Sequence, residues 1–536
     1  MKRSLQYLVS IVTGIMLSLP WLGFPGWLLF VAWLPLLVLD NYYVSEKSSK
    51  KSLSFWFHVF LALLIWNILT TWWIVHATAV GAMLAIVANS LLMSAAVWLA
   101  HLVRRNSHGI MGYIAWITFW LTFEFFHFHW DIEWPWLTLG NGFANNVKMV
   151  QWFEYTGVLG GSLWVLTVNL ALYRLMVAWL TEKKSRQLLR PAVAATLLVM
   201  VPVFLSVIMY NRYEEISDPR KILIIQPNID PYSETFDDGA LNDKLMKFLA
   251  LAESELSLDI DYIIGPETVF EQDWEESRLH DYPALTHLQY LLRGGENTSL
   301  IIGASTYKIY REGESLPATA RSARDGSFAY DRYNTAIFTE PSGEFQVYHK
   351  SILVPGVEKM PFRNYLRFLD RFIIDLGGTT GSLGIQPYPT NFKAPNGDLL
   401  APVICYESVF GGYLTKFVRK GAGLVVIITN DGWWKNTPGY RQHFSFARLR
   451  AIELRRSIAR SANTGISGVI NQRGDIGLQT AWWKEAAVVA VVNMNQEKTF
   501  YVMYGDYIGR IAMLVSGLML LYLVSILMRR DKKNPH

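Results

Sequence analysis

The chain has 536 residues, of which 51% are hydrophobic and 17% charged, with 21 tryptophans and a net charge of +5. This profile lies between those of membrane and soluble proteins, so the chain is expected to be part membrane and part globular. The basic residues are spaced like topology signals and form no single patch, which argues against nucleic-acid binding.

In chain order, the first 210 residues hold long apolar stretches, each close to the ~20 residues that cross a bilayer. They predict spans near 5–22, 25–42, 54–75, 80–102, 110–127, 161–181 and 191–210. Lysine and arginine fall in alternate links: Lys2 and Arg3; Lys47, Lys50 and Lys51; Arg104 and Arg105; Lys183, Lys184, Arg186 and Arg190. The other links hold almost none, Lys148 being the exception. The positive-inside rule then puts the N-terminus in the cytoplasm and delivers the chain outside after the seventh span. No small-residue cleavage site follows the first span, so it reads as a retained helix rather than a signal peptide. Trp130, Trp134, Trp136 and Trp152, in the outside link, are expected as an interfacial belt. Glu124, near the end of the fifth span, is a candidate functional group because ionisable side chains in membranes are costly.

Residues 211–505 alternate β-rich runs with amphipathic segments. The runs K-I-L-I-I-Q-P-N, D-Y-I-I-G-P-E-T, S-L-I-I-G-A-S-T, Y-N-T-A-I-F-T-E, F-Q-V-Y-H-K, L-L-A-P-V-I-C-Y-E, G-L-V-V-I-I-T-N-D, I-S-G-V-I-N-Q-R-G and A-A-V-V-A-V-V-N suit strands buried on both faces. Helices near 238–257, 284–293 and 440–457 would cover them, giving an α/β sandwich domain large enough for its own core. Residues 508–528 form an eighth span, and the basic tail after it (Arg529, Arg530, Lys532, Lys533) is cytoplasmic on the same topology. The expected division is therefore a membrane domain over 1–210, an extracytoplasmic domain over 211–505, a C-terminal helix over 506–528 and a tail over 529–536.

Cys405 is the sole cysteine. It forms no intramolecular disulfide, so it serves either packing or chemistry. Glu267 ends D-Y-I-I-G-P-E, Lys350 ends F-Q-V-Y-H-K, Cys405 ends L-L-A-P-V-I-C, and Glu358 follows Lys350 by eight positions. Each has a plain alternative: a buried structural cysteine, a helix-cap partner, a solvated strand end, a loop carboxylate. Together, at strand C-termini where α/β sheets bind ligands, they form a nucleophile, a base and a charge stabiliser. Thiolate is the reactive form. A carboxylate can take the thiol proton, while a lysine and a backbone N–H after the cysteine stabilise the oxyanion of an acyl transfer. His349 and His443 are candidates for a Cys-His pair, but neither sits in a segment with an evident orienting partner.

The trio G-P-E-T, Y-H-K-S-I-L-V-P-G-V-E and V-I-C-Y-E resembles the Glu-Lys-Cys signature of the carbon-nitrogen hydrolase (nitrilase) superfamily. With the helices before it, nearly the whole chain resembles the apolipoprotein N-acyltransferase family. Further matches are Q-P-N-I (226–229), R-Y-N-T-A (332–336), T-N-D-G-W-W (429–434), F-E-F-F-H-F-H-W-D-I-E-W-P-W-L-T-L-G and G-V-L-G-G-S-L-W-V-L-T-V-N. The resemblance implies a nitrilase-like α-β-β-α sandwich inserted between about eight transmembrane helices of a bacterial inner-membrane protein, with its catalytic domain in the periplasm. It implies Glu267 as general base, Lys350 as oxyanion stabiliser, Cys405 as nucleophile and Glu358 as an orienting carboxylate, with Tyr406 and Glu407 also tied to activity. Two positions depart from the family pattern: Phe236 stands near where a tryptophan is usual, and P-G-V-E replaces P-F-G-E.

The implied reaction is ping-pong. An acyl chain passes from the sn-1 ester of a phospholipid, phosphatidylethanolamine being the implied donor, to Cys405, and then to the α-amine of a diacylglyceryl-cysteine at a lipoprotein N-terminus. The spans would admit acyl chains laterally and keep water from the thioester. Three alternatives stay open: a membrane-tethered amidase or nitrilase using water, a non-catalytic transporter or lipoprotein-binding protein, and a different lipid-linked amine as acceptor. No cofactor is implied and no metal site is evident; H-F-H-W-D at 127–131 is the nearest cluster and reads better as an interfacial loop. The segment M-P-F-R-N-Y-L-R-F-L at 360–369 reads either as an amphipathic arm over the site or as a domain helix.

Overall fold

A computed structural model describes residues 1–45, 49–107, 109–181, 185–231, 238–294, 298–323, 325–359 and 382–533. Phe236 and the segment 360–369 lie outside these residues. The chain divides into two compact units. One gathers Met1–Val75, Ala79–Arg212 and the stretch from Tyr504 onward; the other holds His76–Thr78 and Tyr213–Met503.

The first unit is helical. A segment in hydrocarbon must satisfy its backbone internally, which an apolar helix does. Seven helices among the described residues are long and apolar enough to cross a membrane: Arg3–Leu22, Gly26–Ser45, Lys51–His76, Ala79–Asn106, Phe153–Thr181, Leu188–Arg212 and Tyr507–Arg529. The expected fifth span is a shorter helix, Met111–Phe126, of 16 residues. The second is not continuous: a short helix Leu29–Ala32 breaks at Trp33 before Leu34–Ser45 begins. Asn169 takes up the groups this break frees, accepting from Trp33 N at 3.0 Å and donating to Leu29 O at 2.7 Å. The sixth starts earlier than expected, at Phe153, and is interrupted at Gly157, whose φ of 61° a residue with a side chain seldom adopts.

Between these helices the chain winds through short turns at Pro135–Leu137, Leu139–Phe143 and Val147–Met149. Trp136 is buried there, with its ring 5.7 Å from Trp134 and 5.1 Å from Trp73. It is core, and the belt expected of it is corrected accordingly. Glu124 is buried as well, accepting from Trp120 Nε1 at 2.7 Å and from Leu139 N at 2.8 Å. It fastens the turn segment to its own helix.

The second unit stacks two sheets. Its strands are β1 (Pro219–Gln226), β2 (Tyr262–Ile264), β3 (Phe270–Glu275), β4 (Ser299–Tyr310), β5 (Arg321–Ser322), β6 (Ala329–Thr339), β7 (Phe345–His349), β8 (Phe392–Lys393), β9 (Leu399–Ile404), β10 (Leu424–Thr429), β11 (Ile458–Ala462), β12 (Gly468–Ile470), β13 (Ile476–Gln479) and β14 (Ala486–Asn493). One sheet runs β14-β1-β2-β4-β6-β5, with β3 on β4 and β7 on β6; the other runs β13-β12-β11-β10-β9-β8.

Side chains on a strand alternate between faces, so one strand can feed two cores. Ile222 and Ile224 of β1 join the layer between the sheets, with Ile264, Phe338 and Val403. Leu223 and Ile225 join Leu245, Phe248 and Ala252 of the helix Asp238–Glu255 on the outer face. Beyond the second sheet lie the helices Gly411–Arg419 and Pro438–Leu454. Each fully buried Val, Leu or Ile contributes about 1.5–3 kcal/mol.

Strand direction fixes the working edge. β1, β2 and β4 are mutually parallel, while β6 is antiparallel to both β4 and β7, so β7 runs with β2. β9, β10 and β11 are likewise parallel. Glu267 follows β2 and Lys350 follows β7 on one sheet; Cys405 follows β9 and Asp431 follows β10 on the other.

Candidate active site

Glu267 is held from three sides. Its Oε1 accepts from Asn334 Nδ2 at 2.7 Å and from Lys350 Nζ at 3.2 Å, and its Oε2 accepts from Asn430 N at 2.9 Å. The last bond joins the two sheets, because Asn430 follows β10. The turn carrying Glu267 presses directly on β4 at Gly303. A Cβ there would lie 2.6 Å from Glu267 Cα and 2.7 Å from Thr268 N, so only glycine permits the approach.

Lys350 is buried and bonds two carboxylates, Glu267 and, at 2.8 Å, Glu358 Oε1. Burial works against its charge, but the two carboxylates outweigh that and hold the ammonium well above the ordinary lysine range. Asn334 bridges the same two carboxylates, reaching Glu358 Oε1 at 3.1 Å. The P-G-V-E departure explains itself locally. Gly356 takes a φ of 81°, and the tight turn lets Val354 N donate to Glu358 Oε2 at 2.8 Å, aiming the other oxygen at Lys350.

Cys405 opens a short turn, Cys405–Val409, directly after β9. Its φ is 51°, a left-handed value that costs a residue with a side chain about 1–3 kcal/mol and tends to mark functional sites. The thiol is buried. Burial first, then the charge of Glu267, pushes it well above its ordinary range, with Lys350 opposing them. Thiolate is the reactive form, so the thiol proton must leave as the sulfur attacks.

Tyr406 packs its ring edge-on to Phe410, 5.1 Å between centroids. Glu407 turns back beneath the site. Its Oε1 accepts from Ser351 N at 2.7 Å and Tyr348 Oη at 2.8 Å, and its Oε2 accepts from Ile404 N at 2.9 Å. Burial raises its carboxyl to about 7 despite those donors.

Neither histidine contacts the thiol through a hydrogen bond. His349 Nε2 lies 2.6 Å from Glu276 Oε1, and its ring stacks on Tyr333. His443, expected to lack an orienting partner, has two: Nδ1 lies 2.9 Å from Asp431 Oδ1 and 3.1 Å from Arg460 Nη2. Its Nε2 faces Ser408 Oγ and the carbonyl of Cys405. Asn334, Asn430 and Asp431 stood in R-Y-N-T-A and T-N-D-G-W-W without assigned roles; for Asn430 and Asp431, a polar side chain ending an apolar run was the available signal. Among the described residues, no group of three or more His, Cys, Asp or Glu side chains is arranged to hold a metal.

The geometry can be set beside known proteins. The model of the family described as carbon-nitrogen hydrolase matches residues 222–500, more than half of the chain. The chain belongs to the carbon-nitrogen hydrolase family. Residues 13–171 match the apolipoprotein N-acyltransferase N-terminal domain. The apolipoprotein N-acyltransferase of Chlorobaculum tepidum is 28% identical over 97% of this chain and 96% of its own length. That of Geobacter metallireducens is 26% identical over 94% and 92%. A solved carbon-nitrogen hydrolase superfamily protein from Xanthomonas campestris is 17% identical, covering 55% of this chain and 96% of that one, with a TM-score of 0.35.

Proposed function

We propose that this chain, an apolipoprotein N-acyltransferase with several membrane-crossing helices, carries the acyl group on Cys405 as a thioester. The observation that carries the reading is Lys350, buried between Glu267 and Glu358 at the edge where β9 presents Cys405. As the thiol attacks the sn-1 ester carbonyl of a phospholipid, its proton passes to Glu267. The Lys350 ammonium and the Tyr406 N–H stabilise the oxyanion. Collapse breaks the ester bond, and Glu267 returns the proton to the departing lysophospholipid oxygen. The α-amine of a diacylglyceryl-cysteine then attacks the thioester, loses a proton to Glu267, and releases Cys405 as the thiol. Phosphatidylethanolamine is the proposed donor.

The charge pattern of the links supports a catalytic domain outside the cytoplasm, in the periplasm of a bacterial inner-membrane protein. Lone Cys405 suits such an oxidising compartment, since no second cysteine can trap it internally.

The test is intact-protein mass spectrometry. Detergent-solubilised enzyme incubated with phosphatidylethanolamine gains one acyl mass, Cys405→Ala does not, and a diacylglyceryl-cysteine peptide removes the adduct and becomes N-acylated. Acyl groups reaching only water would make the chain a tethered hydrolase instead.

A further inference from the structure

We propose that His443 is a positioning residue: with Ser408 it clamps the carbonyl of Cys405, fixing the left-handed elbow and polarising the peptide whose N–H, on Tyr406, serves the oxyanion. The inference rests on Cys405 being the acyl carrier, and it adds a side chain that touches neither substrate nor sulfur.

The hydrogen-bond directions follow from the donors available. Ser408 Oγ donates to the Cys405 carbonyl at 2.7 Å, so its single proton is spent. Its oxygen must then accept from His443 Nε2, 2.9 Å away. The same Nε2 lies 3.2 Å from the Cys405 carbonyl. A proton on Nε2 is then shared between the hydroxyl and the carbonyl.

The other side of the ring is fixed with equal care. Nδ1 lies 2.9 Å from Asp431 Oδ1, which can only accept, and 3.1 Å from Arg460 Nη2, and the same Nη2 bonds Asp431 Oδ2 at 2.6 Å. Asp431 Oδ1 also takes the Thr429 hydroxyl at 2.9 Å. The network thus runs from β10 and β11 to the carbonyl of Cys405. His443, Asp431 and Arg460 are all fully buried. Burial and the neighbouring guanidinium work against a charge on the imidazole, while Asp431 favours it.

Two consequences follow for catalysis. A left-handed non-glycine residue persists only where its surroundings over-determine it, and two donors on one carbonyl do that. Hydrogen bonds to a peptide carbonyl also polarise the peptide, strengthening its N–H as a donor. Both effects act on the charged transition state more than on bound lipid, so the loss belongs in turnover and leaves lipid affinity in place.

The experiment follows single-turnover acylation of the full-length protein by phosphatidylethanolamine, read by intact mass over a range of lipid concentrations. It compares wild type, Cys405→Ala, Ser408→Ala, His443→Ala and His443→Gln, whose amide can donate where Nε2 did. His443→Ala is expected to slow acylation about 100-fold at unchanged half-saturating lipid, as loss of an oxyanion donor does. His443→Gln should recover at least about tenfold of that, and Ser408→Ala should lose about tenfold. A wild-type rate in His443→Ala, equal losses in Ala and Gln, or a loss confined to half-saturation overturns the inference while leaving the thioester intact. If His443→Ala fails to fold, an unchanged rate in Ser408→Ala overturns it. Absence of any acyl adduct on wild type would sink the parent reading, and this inference with it.

Discussion

Local hydrogen bonds recur among the buried polar groups of the membrane unit, and long-range ones build the site of the catalytic unit. In the membrane unit, side chains repeatedly turn back on their own helix: Thr13 donates to Val9 O, Thr70 to Trp66 O, Ser90 to Ile86 O and Thr167 to Leu163 O, each four residues earlier. In the catalytic unit the bonds bridge distant sequence. Lys350 and Glu267 lie 83 residues apart, Asn334 and Glu267 lie 67 apart, and Asn430 and Glu267 lie 163 apart. A local bond goes to a carbonyl the helix already serves, so its loss strands nothing. A bridging bond often serves a group with no alternative, so its loss leaves a buried donor or charge unpaired. The membrane unit has bridging bonds too: Asp40 gathers His101, Arg104 and Trp116 across its helices, and Asn169 reaches Trp33 and Leu29.

The largest effect expected from that contrast is Lys350→Met. It leaves Glu267 and Glu358 facing each other without their cation, which should cost roughly 3–5 kcal/mol in thermal unfolding and reduce acylation at least about 1,000-fold. A variant as stable as wild type would show that the carboxylates need no cation. Gly303→Ala comes next. Its methyl group must displace the backbone of Glu267 and Thr268, and a shift of that size should slow acylation about 100-fold.

Asp431→Asn tests the charge itself. Burial works against the Asp431 carboxylate, but Arg460 and His443 hold it at about 2, below the ordinary 3.8. A depressed carboxyl contributes stability that is fully present above its unfolded value and is lost as pH falls through its folded one. Relative to Asn, wild type should gain roughly 2 kcal/mol at neutral pH, shrinking between about pH 4 and pH 2. A pH-independent difference in denaturant unfolding would remove charge as the cause. The smallest effect is Ser90→Ala in the membrane unit, within about 0.6 kcal/mol and without change in acylation. A loss of several kcal/mol there would end the distinction between the two units.

The same contrast explains what could be read from the chain. Apolar runs such as L-V-V-I-I-T and the carboxylate, lysine and thiol that end them are local signals, and they located the sheets and the candidate trio. The strand I-A-R-S-A escaped because Arg460 stands in its middle, and a buried arginine looks like a surface one until Asp431 is known to face it. The helix before it was expected to reach residue 457, but Arg455 turns left-handed at φ 48° and ends it at Leu454. Trp136 read as interfacial for a similar reason, since its ring meets Trp73, which is distant in the sequence. The partners of His443 lie just after β10 and within β11, and no spacing rule in the sequence announces them.

Glu407 has a dimensional consequence. One of its oxygens receives the turn after β7, the other the end of β9, so a single carboxyl spans the gap between the strand that delivers the cation and the strand that delivers the sulfur. The side chain is in effect a spacer of fixed length between the two sheets. Aspartate keeps the carboxyl but is one methylene shorter, and it cannot reach both backbones from the same anchor. The tolerance of the machine is therefore set by a carbon chain that takes no part in the chemistry.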